Sequence, residues 1–219
     1  MTGPNPFETL ADEYDAWFDA HPELFESELQ AVRAVLPERP GRWVEVGVGT
    51  GRFASRLAIG LGVEPAGAMA DRARQRGVRV LEGTAECLPL ADSSADALFL
   101  ITTLCFVSDV GGALAEARRV LVPGGAIVVA FLPRDSELGR AASTDSSDPF
   151  FREARLLSAS ELLCAMMAAG FGIDRIVQTL AASSGPEALE APSDGFDRGS
   201  FVVVRGLRPQ RERHSSMQS

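Results

Sequence analysis

The sequence predicts an α/β domain built on a doubly wound, mostly parallel β-sheet. Two observations lead to this prediction. Short apolar runs alternate with helical segments from residue 43 to residue 131, and such alternation is typical of parallel strands joined by right-handed helical crossovers. A glycine-rich turn directly follows the first apolar run, and sheets of this class bind ligands beyond the carboxyl ends of their strands. The sequence therefore predicts a ligand site at that edge of the sheet.

The predicted elements follow one another in a simple order. Helices are predicted after Gly51, over 67–76, over 109–122 and over 158–169. The helix over 109–122 is expected to end at the Pro-Gly-Gly sequence of residues 123–125, because proline and glycine interrupt helices. The first strand ends at Val46, and the later strands are predicted over 61–64, 78–81, 97–101, 126–131, 173–180 and 200–205.

The two ends of the chain differ from this central pattern. Residues 1–40 are predicted to form an N-terminal helical cap with two helices, 7–20 and 22–36, and the main domain spans 41–207. In the first helix, Tyr14, Trp17 and Phe18 fall close to one face at helical spacing. Residues 208–219 are polar and aperiodic, and they are expected to form a disordered tail.

Composition excludes several function classes. The 219 residues carry a net charge of −9, which argues against a nucleic-acid partner because phosphate binding needs a basic surface. No stretch of 18 apolar residues and no signal peptide are evident, so a cytoplasmic protein without a membrane anchor is expected. Cys87, Cys105 and Cys164 are single and are predicted to be small core residues in a reducing compartment. Their spacing predicts no metal site.

The glycine-rich turn predicts a nucleoside site. Gly47, Gly49 and Gly51 alternate along the turn. Glycine tolerates positive φ, and its missing side chain lets a ligand lie directly on the backbone. Glu64 follows 17 residues after Gly47, at the end of the second predicted strand, where a carboxylate can accept hydrogen bonds from both hydroxyls of a ribose.

A dinucleotide is the less favoured ligand. The NAD fingerprint G-x-G-x-x-G needs a third glycine for close packing of helix and strand, but Arg52 occupies that position. Glu45 lies two residues before the turn, where its charge would repel a pyrophosphate and suit a cationic amino group. A nicotinamide oxidoreductase therefore stays open only as an alternative.

The turn resembles motif I of the class I S-adenosylmethionine (SAM) dependent methyltransferases. Residues 62–65 (Gly-Val-Glu-Pro) resemble the acidic second-strand motif of that family, and residues 83–90 resemble its adenine loop. The sequence of residues 118–125 matches a later motif. The resemblance covers about residues 14–205 and is nearest to the small-molecule branch that includes ubiquinone- and menaquinone-type methyltransferases. It implies a Rossmann-like sheet of seven strands, with the last strand antiparallel and inserted next to the fifth.

The resemblance also implies SAM as cofactor and S-adenosylhomocysteine as product. Glu45 would hold the amino group of SAM, Glu64 the ribose hydroxyls, and Met69 and Ala85 would contact adenine. Met69 and the aromatic face of the first helix fit ordinary core packing equally well, and threonines after the fourth strand fit hydrogen bonding to strand ends. The predicted cofactor-binding residues are Tyr14, Glu45, Gly47, Gly49, Thr50, Gly51, Glu64, Pro65, Met69, Thr84, Ala85, Glu86, Thr102 and Thr103.

The sequence offers no convincing general base. Many relatives carry a Glu-His pair after the fourth strand, whereas this chain has Cys105 and Phe106, which predicts a more apolar acceptor pocket. His21 is expected on the surface and His214 in the tail. The arginines near the expected pocket mouth indicate either an anionic acceptor or a charged helix face; they are Arg134, Arg140, Arg152 and Arg155.

Two functions follow from these residues. The first is transfer of a methyl group from SAM to an unidentified small molecule. The alternative is a protein with the methyltransferase fold that binds SAM without turnover, since Thr84 replaces the usual aspartate of the adenine loop and the Glu-His pair is missing. Fold alone does not decide between them.

Overall fold

A central sheet organises the molecule. The computed structural model describes residues 5–145, 147–181 and 188–210. Within these residues, eight strands form one sheet in the order β3-β2-β1-β4-β5-β8-β6-β7. The strands are β1 (Trp43–Val46), β2 (Leu61–Glu64), β3 (Arg79–Glu82), β4 (Ala95–Ile101), β5 (Leu121–Phe131), β6 (Gly172–Ala181), β7 (Ser193–Asp194) and β8 (Gly199–Leu207).

The strand directions confirm the predicted fold class. Strands β1 to β5 pair in parallel, and β8 runs antiparallel between β5 and β6. The predicted count of seven strands was wrong, because the described residues form eight. The additional strand, β7, is a two-residue edge strand that pairs with Val177 and Gln178 of β6. Two residues are too short to show the period-two pattern by which strands are recognised.

Helices cover both faces of the sheet and complete two apolar layers. On one face, Phe99 of β4 packs with residues such as Leu29 and Ala73. On the other face, Leu98 of β4 packs with residues such as Leu114. The helices are α1 (Pro6–Thr9), α2 (Ala11–Ala20), α3 (Pro22–Arg33), α4 (Arg52–Arg56), α5 (Gly67–Gln75), α6 (Val110–Val120), α7 (Glu137–Thr144) and α8 (Ala159–Ala168), with a 3₁₀ turn at Phe151–Glu153.

The first helix of the N-terminal cap, predicted over 7–20, is divided in two in the structure. The backbone leaves helical geometry at Leu10, with φ −124° and ψ 32°, so α1 and α2 are separate. The break lets α1 turn toward α5, where the Glu8 carboxylate accepts hydrogen bonds from the backbone N–H groups of Gly67 (2.8 Å) and Ala68 (3.1 Å). Glu8 thereby satisfies free donors at the N-terminus of α5. The cap is fastened to the main domain by this contact.

The Pro-Gly-Gly sequence of residues 123–125 also has a different role from the predicted one. Helix α6 ends at Val120, and these residues belong to β5, whose pairing with β4 is irregular between Ala95 and Ala97. The Gly124 N–H donates to the Arg208 carbonyl oxygen, and the Arg208 N–H donates to the Gly125 carbonyl oxygen. Of the predicted tail, residues 208–210 are described and include this contact, whereas residues 211–219 lie outside the described part.

The cysteines are less buried than the sequence predicts. Cys87 and Cys164 are exposed, which contradicts their assignment to the core, and Cys105 is partly buried. Cys164 belongs to α8, an apolar helix whose core face consists of Ala159, Leu162 and Met166. Within the described residues, none of the helices is both long and apolar enough to span a membrane.

Candidate functional site

A cavity of about 460 Å³ opens at the carboxyl ends of β1, β2 and β4. Strand β1 pairs with both β2 and β4, so this is the point where the chain changes direction across the sheet and where ligands of such folds bind. The volume suits a small organic ligand. The cavity is lined by Phe7, Tyr14, Gly47, Gly49, Glu64, Pro65, Met69, Gly83, Thr84, Ala85, Glu86, Ile101, Thr102, Thr103, Phe106, Val107 and Ser108.

Most of the predicted cofactor residues meet at this cavity. Eleven of the fourteen line it, and Glu45, Thr50 and Gly51 do not. The wall also contains residues that the sequence did not single out, among them Phe7 from the cap and Val107 and Ser108 from the loop after β4. Phe106 of the same loop, which was predicted to make the acceptor pocket more apolar, lines the cavity as well. Their position depends on contacts between distant segments, and spacing along the chain does not reveal these.

The glycine turn uses its glycines in different ways. Gly49 has φ +52°, and a Cβ built on it would meet no atom within 4 Å, so its backbone faces open space. Gly51 has φ +79°, and a Cβ there would lie 2.9 Å from the Cα of Ala73. Gly51 is therefore needed for the packing of the turn against α5, while Gly49 leaves its backbone accessible to a ligand.

These two environments predict opposite outcomes for the same substitution. Gly51→Ala is expected to lower the free energy of unfolding by about 2–4 kcal/mol, because it adds left-handed strain and a clash with the backbone of α5. Gly49→Ala is expected to cost only about 1–2 kcal/mol and to lower the affinity for a ligand that lies on the turn. Urea unfolding and calorimetric titration of both variants check this. Equal stability losses would contradict the assignment.

Glu64 is the central polar group of the cavity. It lies at the end of β2 and is 7 % exposed. One carboxylate oxygen accepts from the Gly49 N–H at 2.9 Å, and the other accepts from the Ala66 N–H at 3.0 Å. Burial raises the pKa of Glu64, although these two backbone hydrogen bonds oppose the rise. Each carboxylate oxygen can accept more than one hydrogen bond, so both can also bind hydroxyls of a ligand.

Glu45 is buried beneath the turn and does not reach the cavity wall. Its neighbours in β1, Val44 and Val46, pack on one face of the sheet, so the Glu45 side chain points to the opposite face, toward α4. The Ala54 N–H donates to its carboxyl group, and burial raises its pKa well above the usual value. Its Oε2 atom has no hydrogen-bond partner among the described residues. A buried acceptor without a donor is costly, and a cationic group bound at the turn would reduce that cost.

Thr50 belongs to an ionic network that the sequence did not predict. Asp15 of α2 is the centre of this network: one carboxylate oxygen accepts from the Thr50 hydroxyl (2.9 Å) and from Nε of Arg52 (2.6 Å). The other oxygen accepts from Arg76. The network joins the cap, the glycine turn and α5, and it gives Arg52 a role at the position where a dinucleotide fingerprint has glycine. In the sequence, arginine at this position in place of glycine was the one sign that residue 52 has a different role.

Residues after β3 form another wall of the cavity. Ala85 is buried there, while Thr84 is exposed. Met69 lies on α5 instead, where it is buried against Ala11 and Phe7 of the cap. Glu86 accepts hydrogen bonds from the N–H (2.8 Å) and hydroxyl (2.9 Å) of Ser108. Burial acts to raise the pKa of Glu86, but hydrogen bonds from backbone groups and from Ser108 hold it below its usual value. Glu86 is therefore a charged wall residue that joins the loops after β3 and β4.

The hydroxyl groups of the two threonines after β4 form hydrogen bonds with backbone carbonyl oxygens at strand ends. The Thr102 hydroxyl donates to the Ile101 carbonyl oxygen at 2.8 Å, and the Thr103 hydroxyl lies 3.0 Å from the Val46 carbonyl oxygen. Both still line the cavity. These bonds match the strand-end role that the sequence left open for the two residues.

Aromatic rings form the mouth of the cavity. The ring of Phe7 lies 5.0 Å from that of Phe106 and 5.5 Å from that of Phe150, and Tyr14 lies 5.2 Å from Phe150. Such edge-to-face and tilted pairs stabilise one another beyond their burial. The cap and the loops after β4 and α7 thus meet over the site.

No cationic side chain lines the cavity among the described residues. Arg134 pairs with Glu161 at 3.0 Å, and the other three arginines of the predicted pocket mouth are likewise absent from the lining. His21 stacks on Trp17, outside the cavity, and His214 lies outside the described residues. The wall gives no support to the hypothesis of an anionic acceptor.

Comparison with known proteins decides the family. The chain is 47% identical to a protein of Thermotoga maritima whose crystal structure is described as a SAM-dependent methyltransferase, possible histamine N-methyltransferase. The match covers 92% of this chain and 97% of that one, with a TM-score of 0.87. The chain belongs to the SAM-dependent methyltransferase family.

Further similarities agree with this membership. Residues 44–129 of this methyltransferase family member match the family model for a methyltransferase domain. An uncharacterized protein of Methanocaldococcus jannaschii is 34% identical over 91% of this chain and 97% of its own length. The [4+2]-cyclase SpnF is 22% identical with a TM-score of 0.59 over 84% of this chain and 80% of its own. At that identity the likeness to SpnF concerns the fold alone.

Proposed function

We propose that this chain binds SAM in the 460 Å³ cavity and transfers its methyl group to a small, partly apolar molecule. The observation that carries the proposal is the carboxylate of Glu64, which is buried at the cavity wall and fixed by the N–H groups of Gly49 and Ala66. This arrangement suits the two hydroxyls of a ribose. The narrower likeness to ubiquinone- and menaquinone-type enzymes stays a prediction.

The residues of the cavity fit the parts of SAM. Glu64 would hold the ribose hydroxyls, and the open backbone at Gly49 would lie against the methionyl part. Met69 and Ala85 would contact adenine. Glu45 lies beneath the turn and off the cavity wall, so it would act on the cationic amino group of SAM only through the backbone of the turn. When bound, SAM supplies a methyl group on a positively charged sulfur, which is already a strong methyl donor.

The apolar side chains of the main cavity favour a partly apolar acceptor. Phe7, Ile101, Phe106 and Val107 contribute apolar wall, which excludes water, and this is sufficient for a reaction driven mainly by positioning. Behind Thr102 lies an apolar recess of only about 10 Å³, which has room for about one water molecule. Burial raises the pKa of Cys105 in this recess to about 12, so its thiol is neutral.

Calorimetric titration with SAM, S-adenosylhomocysteine and NADH tests the proposal. Micromolar binding of the two adenosyl compounds, without binding of NADH, is the expected result. Binding of NADH alone, or no binding at all, would contradict it. A following assay with methyl-labelled SAM and a panel of small acceptors then separates transfer from the alternative of binding without turnover.

A further inference from the structure

Thr102 has a backbone conformation that its residue type rarely adopts. It is the first residue after β4, and its φ is +50°. Threonine is branched at Cβ, and for such residues this left-handed conformation is a strained outlier. Three other non-glycine residues of the described chain have positive φ, namely Ala58, Ser93 and Leu180. None of these three is β-branched and none lines the cavity, whereas Thr102 combines backbone strain with a place in the cavity wall.

The path of the chain explains the positive φ but not the choice of threonine. The Thr102 N–H donates to the Ala130 carbonyl oxygen at 2.8 Å, which continues the pairing of β4 with β5. The next residue turns toward β1, where the Thr103 hydroxyl donates to the Val46 carbonyl oxygen at 3.0 Å. Glycine would make this turn without strain. A strained residue that is retained beside a ligand cavity indicates a role for its side chain.

The hydrogen bond of the Thr102 hydroxyl determines what else this group can bind. The hydroxyl lies 2.8 Å from the Ile101 carbonyl oxygen, and because a carbonyl oxygen can only accept, the hydroxyl donates its single proton there. In a second hydrogen bond the Thr102 oxygen can only accept, so its partner must be an N–H or O–H group. The carbonyl oxygen does not depend on Thr102 alone, since the Thr103 hydroxyl lies 3.1 Å from it.

Thr102 lies on the side of the cavity that the proposed SAM contacts leave free. Gly49 and Glu64, which are proposed to hold SAM, follow β1 and β2, and β4 is the next strand on the other side of β1. Thr102 follows β4 and lines the cavity there. The recess behind it has a volume of about 10 Å³, which is too small for an acceptor molecule. A donor group that meets the Thr102 oxygen must therefore come from the main cavity.

We propose that Thr102 is a specificity-determining residue whose hydroxyl oxygen accepts a hydrogen bond from an N–H or O–H group of the methyl acceptor. The proposal rests on the proposed function, since it concerns the second substrate of the same site. It differs from the sequence-based prediction, in which Thr102 contacts the cofactor. The backbone strain is tolerated because it keeps a hydroxyl oxygen at this point of the wall.

The test uses two pairs of uncharged aromatic probes. In each pair one member carries a hydrogen-bond donor, and the other has a methyl group in place of that hydrogen. The pairs are 4-methylphenol with 4-methylanisole, and N-methylaniline with N,N-dimethylaniline. Each probe is titrated into the full chain saturated with S-adenosylhomocysteine, and ligand-observed NMR measures its Kd. The donor member of at least one pair is expected to bind about tenfold more tightly, and that pair shows whether oxygen or nitrogen carries the hydrogen.

Variants of Thr102 separate the hydroxyl oxygen from the shape of the side chain. Thr102→Val keeps the branched shape without the oxygen, so the preference for the donor probe is expected to fall below about twofold. Thr102→Ser keeps the oxygen and should keep the preference. Thr102→Gly should also lose the preference, but because it relieves the strain it should not lower the Tm. Ser93→Gly is the matched control, since Ser93 has the same φ of +50° in an exposed position off the cavity wall. It should leave the preference unchanged.

Thermal melting verifies that each variant is folded, and if Thr102→Val is not, Thr102→Ser and Thr102→Gly provide the same comparison. Three results would overturn the inference: no preference for, or no millimolar binding of, either donor probe; an undiminished preference without the hydroxyl oxygen; and a fall in the Tm of Thr102→Gly by more than about 4 °C. The last result would show that the threonine serves the fold. If S-adenosylhomocysteine itself fails to bind, the proposed function is contradicted as well. Binding of S-adenosylhomocysteine without a donor preference contradicts only the role of Thr102.

Discussion

Replacing Glu64 with alanine is expected to weaken the binding of SAM by about 1–3 kcal/mol, which corresponds to a roughly 5- to 150-fold rise in Kd. The substitution removes the acceptor for the ribose hydroxyls. It also leaves the N–H groups of Gly49 and Ala66 without the oxygens that they contact at 2.9 and 3.0 Å, so the glycine turn loses part of its support. Glu64→Gln should also bind weakly, because its NH₂ group would face one of these donors.

Calorimetric titration of SAM into the wild type and each variant measures the effect. Glu82→Ala is the matched control, since Glu82 of β3 pairs in register with Glu64 but is exposed. Its affinity for SAM should equal that of the wild type. An unchanged Kd for Glu64→Ala would remove Glu64 from the ribose site and would leave the proposed function without its main support.

Replacing Asp15 with alanine is expected to lower the free energy of unfolding by about 3–5 kcal/mol, the usual cost of removing one partner from a buried ion pair. The side chains of Asp15 and Arg52 are 12 % and 15 % exposed. Without Asp15, Arg52 and Arg76 would keep their charges in a poorly hydrated place, and the cap would lose its attachment to the glycine turn.

Urea unfolding followed by circular dichroism checks this loss of stability. Asp19→Ala is the control, because Asp19 lies one turn further along α2 and also contacts Arg52, but its side chain is 71 % exposed. The control should lose less than about 1 kcal/mol. A loss of that size for Asp15→Ala would show that the cap is held mainly by its apolar contacts.

Asp15 also makes the free energy of unfolding depend on pH. Burial acts to raise the pKa of Asp15, but hydrogen bonds from Arg52, Arg76 and Thr50 lower it below its usual value. The unfolded state therefore binds a proton more readily than the folded state, so the contribution of Asp15 is complete at neutral pH and is lost as the pH falls below about 4. Asp15→Ala should show a weaker dependence of stability on pH in that range.

The parallel part of the sheet and one side of the site could be predicted from the sequence, whereas the edge strand β7 could not. The alternation of apolar and helical segments indicates parallel strands, and the spacing between Gly47 and Glu64 reports two ends of adjacent strands, β1 and β2. The alternation is visible within short stretches of the sequence, and Gly47 and Glu64 are separated by a single helical crossover. Local patterns therefore locate Gly49 and Glu64 at the same cavity without knowledge of the packing.

The other side of the site could not be predicted in this way. Glu8 contacts α5 across 59 residues of chain, and Asp15 reaches Arg76 across 61. Such contacts depend on how the cap is oriented, which propensity and spacing do not determine. For the same reason, helix 7–20 was predicted without the break at Leu10.

The insertion of β8 between β5 and β6 determines when the sheet can be completed during synthesis. Strand β6 is made before β8, yet β8 is the strand through which β6 joins β5. Until residues 199–207 leave the ribosome, the edge of β5 remains open and β6 lacks that partner. The residues of the candidate site lie at position 108 or earlier, yet the sheet that supports them is completed only by β8, the last of the eight described strands to be made. A chain released before residue 199 would expose an unpaired apolar strand, and aggregation would be its expected fate.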